Sequence, residues 1–319
     1  MLLPPDGYKI STYYRLNKKT VIGKKGLCRY CGNEDGLVHF RNNAHSLPEL
    51  IGNKFLFSLD ECDDCNAFFD KHLENNLANF LGVARTTTKI KGKSGVPRFK
   101  SERGERIEAI DDALMIIEYQ GSKLIEINEH QKTLSVTTSK STYTPIQAYK
   151  CFIKMALAVL PEHELKSYKQ CFEWVRGNKK PQKFSKDAIK INRTFVPGRP
   201  INNDVWIALF KRVEDKKNNP NLTCAVAFGN FVFHFIIPFC TKDKFTDYAK
   251  MNAISVANTV LPGQKGKSIS ENLNMAGTKP VKQSDSACMR TVEAWKDVNA
   301  DELPEKIKKR IKELGIILP

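Results

Sequence analysis

Apolar residues recur along this chain in two rhythms. From Asn66 to Leu81 they fall at Phe69, Leu73, Leu77, Phe80 and Leu81, a helical spacing that buries one face, and Gly82 supplies a stop. The same rhythm returns after Pro145, a residue suited to a first helical turn. Ile146, Tyr149, Phe152, Ile153, Ala156, Leu157 and Leu160 then share a face. Pro161 interrupts, a second helix is expected from Glu162 to Val175, and a short charged one from Glu305 to Leu314. The other rhythm alternates. Runs at 113–119, 123–128 and 134–138, punctuated by Gly121-Ser122, predict an antiparallel meander over 105–143. Strand-like runs follow at 205–212, 222–228 and 231–237, and a short strand is expected at 36–40. There is no internal repeat. The fold class is α+β.

These elements divide the chain into an N-terminal arm (1–20) carrying Tyr8, Tyr13 and Tyr14, a cysteine-bounded module (21–82), a basic loop (83–104), and a sheet-plus-helix region (105–319). With 319 residues, 41% of them hydrophobic, the chain can bury a sizeable core. No window has the ~18 uncharged apolar residues of a membrane span, and the first residues lack the charged start of a secretion signal. A cytoplasmic location without a membrane partner is expected. The cysteine count, nine, is odd, which argues against a disulfide framework. Cys151, Cys171, Cys224, Cys240 and Cys288 lie mostly among apolar residues and read as small buried hydrophobes. His39, His130, His163 and His234 read as structural or surface residues, His234 as a core histidine with a partner.

Charge changes the picture. A formal +16, from 51 Lys and Arg against 35 Asp and Glu, draws a protein to polyanions. Part of it is concentrated: Arg85–Arg103 carries seven basic residues and one acid, and Arg176–Arg199 eight and one. Such stretches suit phosphate contact better than scattered lysines do.

The candidate chemistry lies in the module. Cys28-Arg-Tyr-Cys31 and Cys62-Asp-Asp-Cys65 are two CxxC pairs, each able to place two thiolates on one side of a tight turn. Four thiolates around one Zn²⁺ make a closed, structural site. His45 lies between the pairs and Asn66 follows the second, so the stapled loop also carries a candidate base and an oxygen ligand.

In order, Cys28-x-x-Cys31-Gly, Ala44-His45-x-x-Pro48, Gly52-Asn53-Lys54 and Cys62-x-x-Cys65-Asn66 resemble the HNH endonucleases, in the branch whose ββα-metal core holds two zinc-binding CxxC pairs. The resemblance covers about residues 26–82. It implies an N-terminal zinc-stapled HNH module; the antiparallel-sheet and helix region that follows lies outside it and is expected to bind DNA or to regulate. It implies His45 as general base, Asn53 as the residue that fixes the loop and orients the base, and Asn66 as a ligand of a catalytic Mg²⁺ or Mn²⁺ distinct from the structural Zn²⁺. For a further ligand the helix offers Glu74, sharing a face with Asn66, with Asp70 and His72 as alternatives. Many members place an acid just before the base; this chain has Ala44.

The expected function is a metal-dependent endonuclease or nickase acting on DNA, with RNA left open as a substrate. The alternative is a zinc module that binds nucleic acid without cutting it. A third arrangement puts residues 105–319 in control of the module, as in nuclease effectors of bacterial anti-phage defence, with partner proteins of such a system.

Overall fold

The computed structural model describes residues 2–111, 113–177, 188–196, 201–214, 219–243, 268–290 and 296–316. It is mixed α+β, and its sheets are mainly antiparallel. The strands are β1 (Tyr8–Arg15), β2 (Thr20–Ile22), β3 (Ala44–His45), β4 (Leu56–Ser58), β5 (Phe99–Lys100), β6 (Arg106–Ile110), β7 (Ala113–Ile117), β8 (Ile125–Asn128), β9 (Thr133–Ser139), β10 (Lys190–Phe195), β11 (Ile201–Arg212), β12 (Leu222–Gly229), β13 (Phe231–Ile236), β14 (Ile269–Asn274) and β15 (Ser284–Arg290). The α-helices are α1 (Asp63–Phe69), α2 (Asn75–Leu81), α3 (Ala84–Thr87), α4 (Pro145–Ala158), α5 (Lys169–Arg176) and α6 (Glu305–Glu313).

The main sheet runs β1-β11-β12-β13-β10-β14, antiparallel throughout. The segment read as an arm contributes its edge strand β1, with the Tyr8 hydroxyl donating to the Pro220 carbonyl at 2.9 Å. Alternate residues of the central strands face opposite ways. Ile207, Leu209, Cys224, Val226, Phe233 and Phe235 turn to the large core, while Trp206, Ala208, Phe210, Ala225 and Ala227 form a second cluster behind. His234 is buried and bonded to the Thr223 hydroxyl at 3.0 Å, as a core histidine must be.

The meander over 105–143 forms, but its strands divide between two sheets: β5-β6-β7 and β15-β9-β8. Alternation along one segment cannot reveal that β9 takes its second partner from residues 284–290. The strand expected at 36–40 reduces to a bridge between Asp35 and Val38. The helix expected at 162–175 is a 3₁₀ segment, Glu162–Tyr168, running into α5.

The helix expected from Asn66 to Leu81 begins at Asp63 and contains a π turn at Asp70–Glu74 between α1 and α2. Its buried residues Cys65, Phe69, Leu73 and Leu77 repeat every fourth position. A regular helix drifts by about 40° per four-residue step. The wider π turn absorbs that drift, so all four stay in the core.

One hydrophobic cluster runs from Leu16 through Leu47, Ile51 and Phe69 to α4 and the inner face of the main sheet. The cysteine module therefore shares its core with residues 105–319. The Phe152 ring of α4 stands 4.9 Å from Phe233 and 5.5 Å from Phe235. Polar contacts hold both ends of α4. Asn76 accepts from the Thr144 amide at 2.7 Å, and Arg29 donates to the Leu157 and Ala158 carbonyls at 2.9 and 2.8 Å while paired with Asp60. Arg29 thus satisfies carbonyls that a helix end leaves without partners. No helix among the described residues is long and apolar enough to cross a membrane.

Candidate metal centre and the histidine beside it

The four module cysteines converge: their sulfur atoms all lie within 4.8 Å of one another. The Cys28–Cys65 and Cys31–Cys62 sulfur pairs are each 3.8 Å apart. A tetrahedron with metal–sulfur arms of ~2.3 Å has edges of ~3.8 Å. Two turns build the site. The first is a knuckle in which the Gly32 amide bonds the Cys28 carbonyl at 2.8 Å, and Gly32 takes φ +71, a conformation open to glycine. The second is the start of α1, where Cys62 is the N-cap and Cys65 lies in the first turn. The Cys62 amide points at Cys28 Sγ, 3.4 Å away.

Without a cation, four such sulfurs cannot all ionise. The hydrogen bond with Cys65 brings the Cys28 thiol down to about 4, while burial pushes Cys62 up to about 12 and the same Cys28 contact drives Cys65 upward. A divalent cation removes this conflict by charge. The four cysteines are thus placed to bind a metal such as zinc. Among the described residues they are the one group of three or more His, Cys, Asp or Glu side chains so placed.

His45 sits on β3, with Ala44 opposite Ser58 and His45 opposite Phe57 on β4; β2 joins β4 from the other side. The ring is half-buried, 4.7 Å from the Phe57 ring, and its Nδ1 is buried without a hydrogen-bond partner. Burial holds its pKa below the ordinary 6.5; Glu49 opposes this and Lys154 and Lys54 reinforce it. The ring is therefore neutral over most of the physiological range.

Asn53 closes the loop between β3 and β4. It is fully buried, donating to the Leu47 and Leu56 carbonyls at 2.7 and 2.9 Å and accepting from the Phe55 and Leu56 amides at 3.0 and 2.9 Å. All four bonds are local, so this side chain sets the path that leaves His45. Asn53→Ala strands these backbone groups inside the protein, and each such loss costs about 1–3 kcal/mol. The expected result is a stability loss of at least about 2 kcal/mol in urea unfolding; an unchanged midpoint would show that the loop keeps its path without Asn53.

Asn66 lies in the first turn of α1, immediately after the cysteine cluster. Glu74 ends the π turn, about two turns further along the helix. Asp70, one turn from Asn66 and exposed, is within reach of a shared ion; His72 is exposed and packs its ring on Phe68 at 4.7 Å. Glu74 turns inward instead. Burial raises its carboxyl, Lys154 opposes, and Asp70 and Glu49 add to the rise.

Three charged residues of this site carry no motif signal. Glu49, on a 3₁₀ turn (Glu49–Ile51) between β3 and β4, is paired with Lys54. Glu61, just before Cys62, is fully buried and stands 3.0 Å from the Lys154 ammonium. Lys154, on α4, also donates to the His45 carbonyl at 3.0 Å. A lysine inside an apolar helical stretch was the available clue for Lys154, and only the fold gives it partners.

The basic loop lies against this site. Arg85 donates to the Leu50 carbonyl at 2.9 Å, and Lys54 reaches the Gly92 carbonyl at 3.2 Å. Lys91, Lys93, Arg98, Lys100 and Arg103 are exposed. The second basic stretch lies partly outside the described residues.

Comparison of the chain with family models, with curated proteins and with solved structures gave no match.

Proposed function

We propose that this chain is a metal-dependent endonuclease of the HNH kind that hydrolyses phosphodiester bonds in DNA. The observation that carries the reading is the polar clamp of Asn53, which closes the loop after His45 by four hydrogen bonds. That is the role the resemblance assigns to a middle asparagine. The order of strand β3, clamped loop, strand β4 and helix α1, stapled by a four-cysteine cluster, supports the finer description as a ββα-metal module.

In this reading the neutral His45 takes a proton from the water that attacks phosphorus, which is what a base of lowered pKa is suited to do near neutrality. Asn66 and Asp70 would hold a Mg²⁺ or Mn²⁺, which supplies charge neutralisation at the scissile phosphate when bound; such ions keep several waters and need few protein ligands. Asn53 keeps the base in place. Lys91, Lys93, Arg98 and Lys100 hold the neighbouring backbone phosphates, so DNA affinity is expected to fall steeply and linearly on a log–log plot against salt.

The test is supercoiled plasmid incubated with the full chain and Mg²⁺, Mn²⁺ or EDTA. Nicked or linear product with an ion, and none with EDTA, is expected. Plasmid that is shifted in a gel but never cut would replace this reading with the zinc module that only binds, which Ala44 favours.

A further inference from the structure

Lys154 and Glu61 form an ion pair with both side chains 0% exposed. Taking two charges out of water costs several kcal/mol per ion, and an apolar pair of the same volume is often as stabilising or more so. Stability alone therefore gives no account of this pair. The geometry does. The same ammonium donates to the carbonyl of His45 at 3.0 Å. Strand β3 is two residues long and pairs with β4 alone, so little of its backbone is held by ladder hydrogen bonds.

We infer that Lys154 is the positioning residue of His45: its ammonium, ion-paired with Glu61, holds the backbone of the base from beneath. The inference rests on the reading of His45 as base. Lys154 itself is placed by the module. The Tyr30 hydroxyl donates to the Lys154 carbonyl at 3.1 Å, and Arg29 holds the last carbonyls of α4. Both residues lie between the first two cysteines. Metal knuckle, α4 and base thus form one mechanical unit, in which the second half of the chain supplies a residue the site requires.

Lys154→Met alone leaves Glu61 buried and unpaired and is expected to damage folding. The test therefore uses two double variants of the full chain: Lys154→Met with Glu61→Gln, which removes the charges and the donor, and Lys154→Gln with Glu61→Gln, which keeps a neutral donor. Zinc content and unfolding midpoint report integrity. Plasmid-nicking kcat and KM, and the residue-45 carbonyl and imidazole NMR resonances, report position. The first variant is expected to keep its zinc and its KM within about twofold while kcat falls about 100-fold, the size of effect that an ångström of misplacement produces. The second is expected to recover kcat to within about tenfold of wild type. In the first, the residue-45 resonances move; in the second they return towards wild type.

Wild-type kcat and unmoved residue-45 resonances in the first variant would overturn the inference, as would equal kcat loss in both variants with unmoved resonances. Should His45→Ala cut as well as wild type, the base assignment falls. The resonances would then still decide whether Lys154 holds this strand.

Discussion

His45→Ala is expected to lower ion-dependent plasmid cleavage by at least about 100-fold, because a positioned general base contributes ~10²–10⁴ to rate. DNA retention in a gel shift and metal content are expected to stay within about twofold, since the His45 side chain neither joins the four-sulfur cluster nor lies in the basic loop. The pH profile carries a second signature. Burial places the pKa of His45 below the ordinary 6.5, so the deprotonated, working form persists further into acid than for a solvated histidine. The acidic limb of log kcat/KM is expected below pH 6.5. The sign for folding is the same: a histidine held neutral contributes stability above its unfolded pKa and loses that contribution as pH falls through the lower folded value. Undiminished cleavage by the alanine variant would remove His45 from the chemistry; a limb above pH 6.5 would contradict the burial effect.

Depriving the four cysteines of the metal they are placed to bind is expected to have the largest structural effect. Cys28, Cys62 and Cys65 are buried in the same cluster as Phe69, Phe152 and Phe233. A four-thiolate zinc contributes about 10–16 kcal/mol of binding free energy in small domains, comparable to the whole stability of a typical protein at about 5–15 kcal/mol. Chelation, or Cys62→Ser, is therefore expected to abolish the cooperative melt or lower its midpoint by tens of degrees. The effect should reach the tryptophan signal of Trp174 and Trp206 in the second half, because Tyr30 joins the knuckle to Phe172 of α5 at 5.6 Å between rings and to α4 by hydrogen bond. A colorimetric release assay should count one zinc per chain. A melt unchanged by complete metal removal would mean that the cysteines are ordinary core thiols.

The local parts of this structure were legible in the chain. The four cysteines assemble as their spacing predicts, because each CxxC pair closes within a single turn. The strand runs at 205–212, 222–228 and 231–237 pair in chain order, the last two across the tight turn at Gly229-Asn230. Helix α4 forms where its apolar run predicts, but it is buried on every side and not on one face alone, Lys150 and Lys154 included. The chain is ambiguous where a pattern has more than one geometric solution. A repeat of four apolar positions suits a regular helix only for a turn or two, and the π turn that resolves it has no residue signature.

Most of the helix and strand runs, and the likeness of each CxxC pair to a metal knuckle, were decided by the chain alone, since short-range spacing and side-chain chemistry suffice for these. Tertiary structure alone decided that the arm is a sheet edge, that β9 pairs with residues 284–290, that the basic loop lies against the 49–54 turn, and that a lysine 109 positions after His45 holds its carbonyl. Contacts between distant segments depend on how whole faces pack, and a buried charge is tolerated only where the fold brings it a partner, which no local pattern encodes.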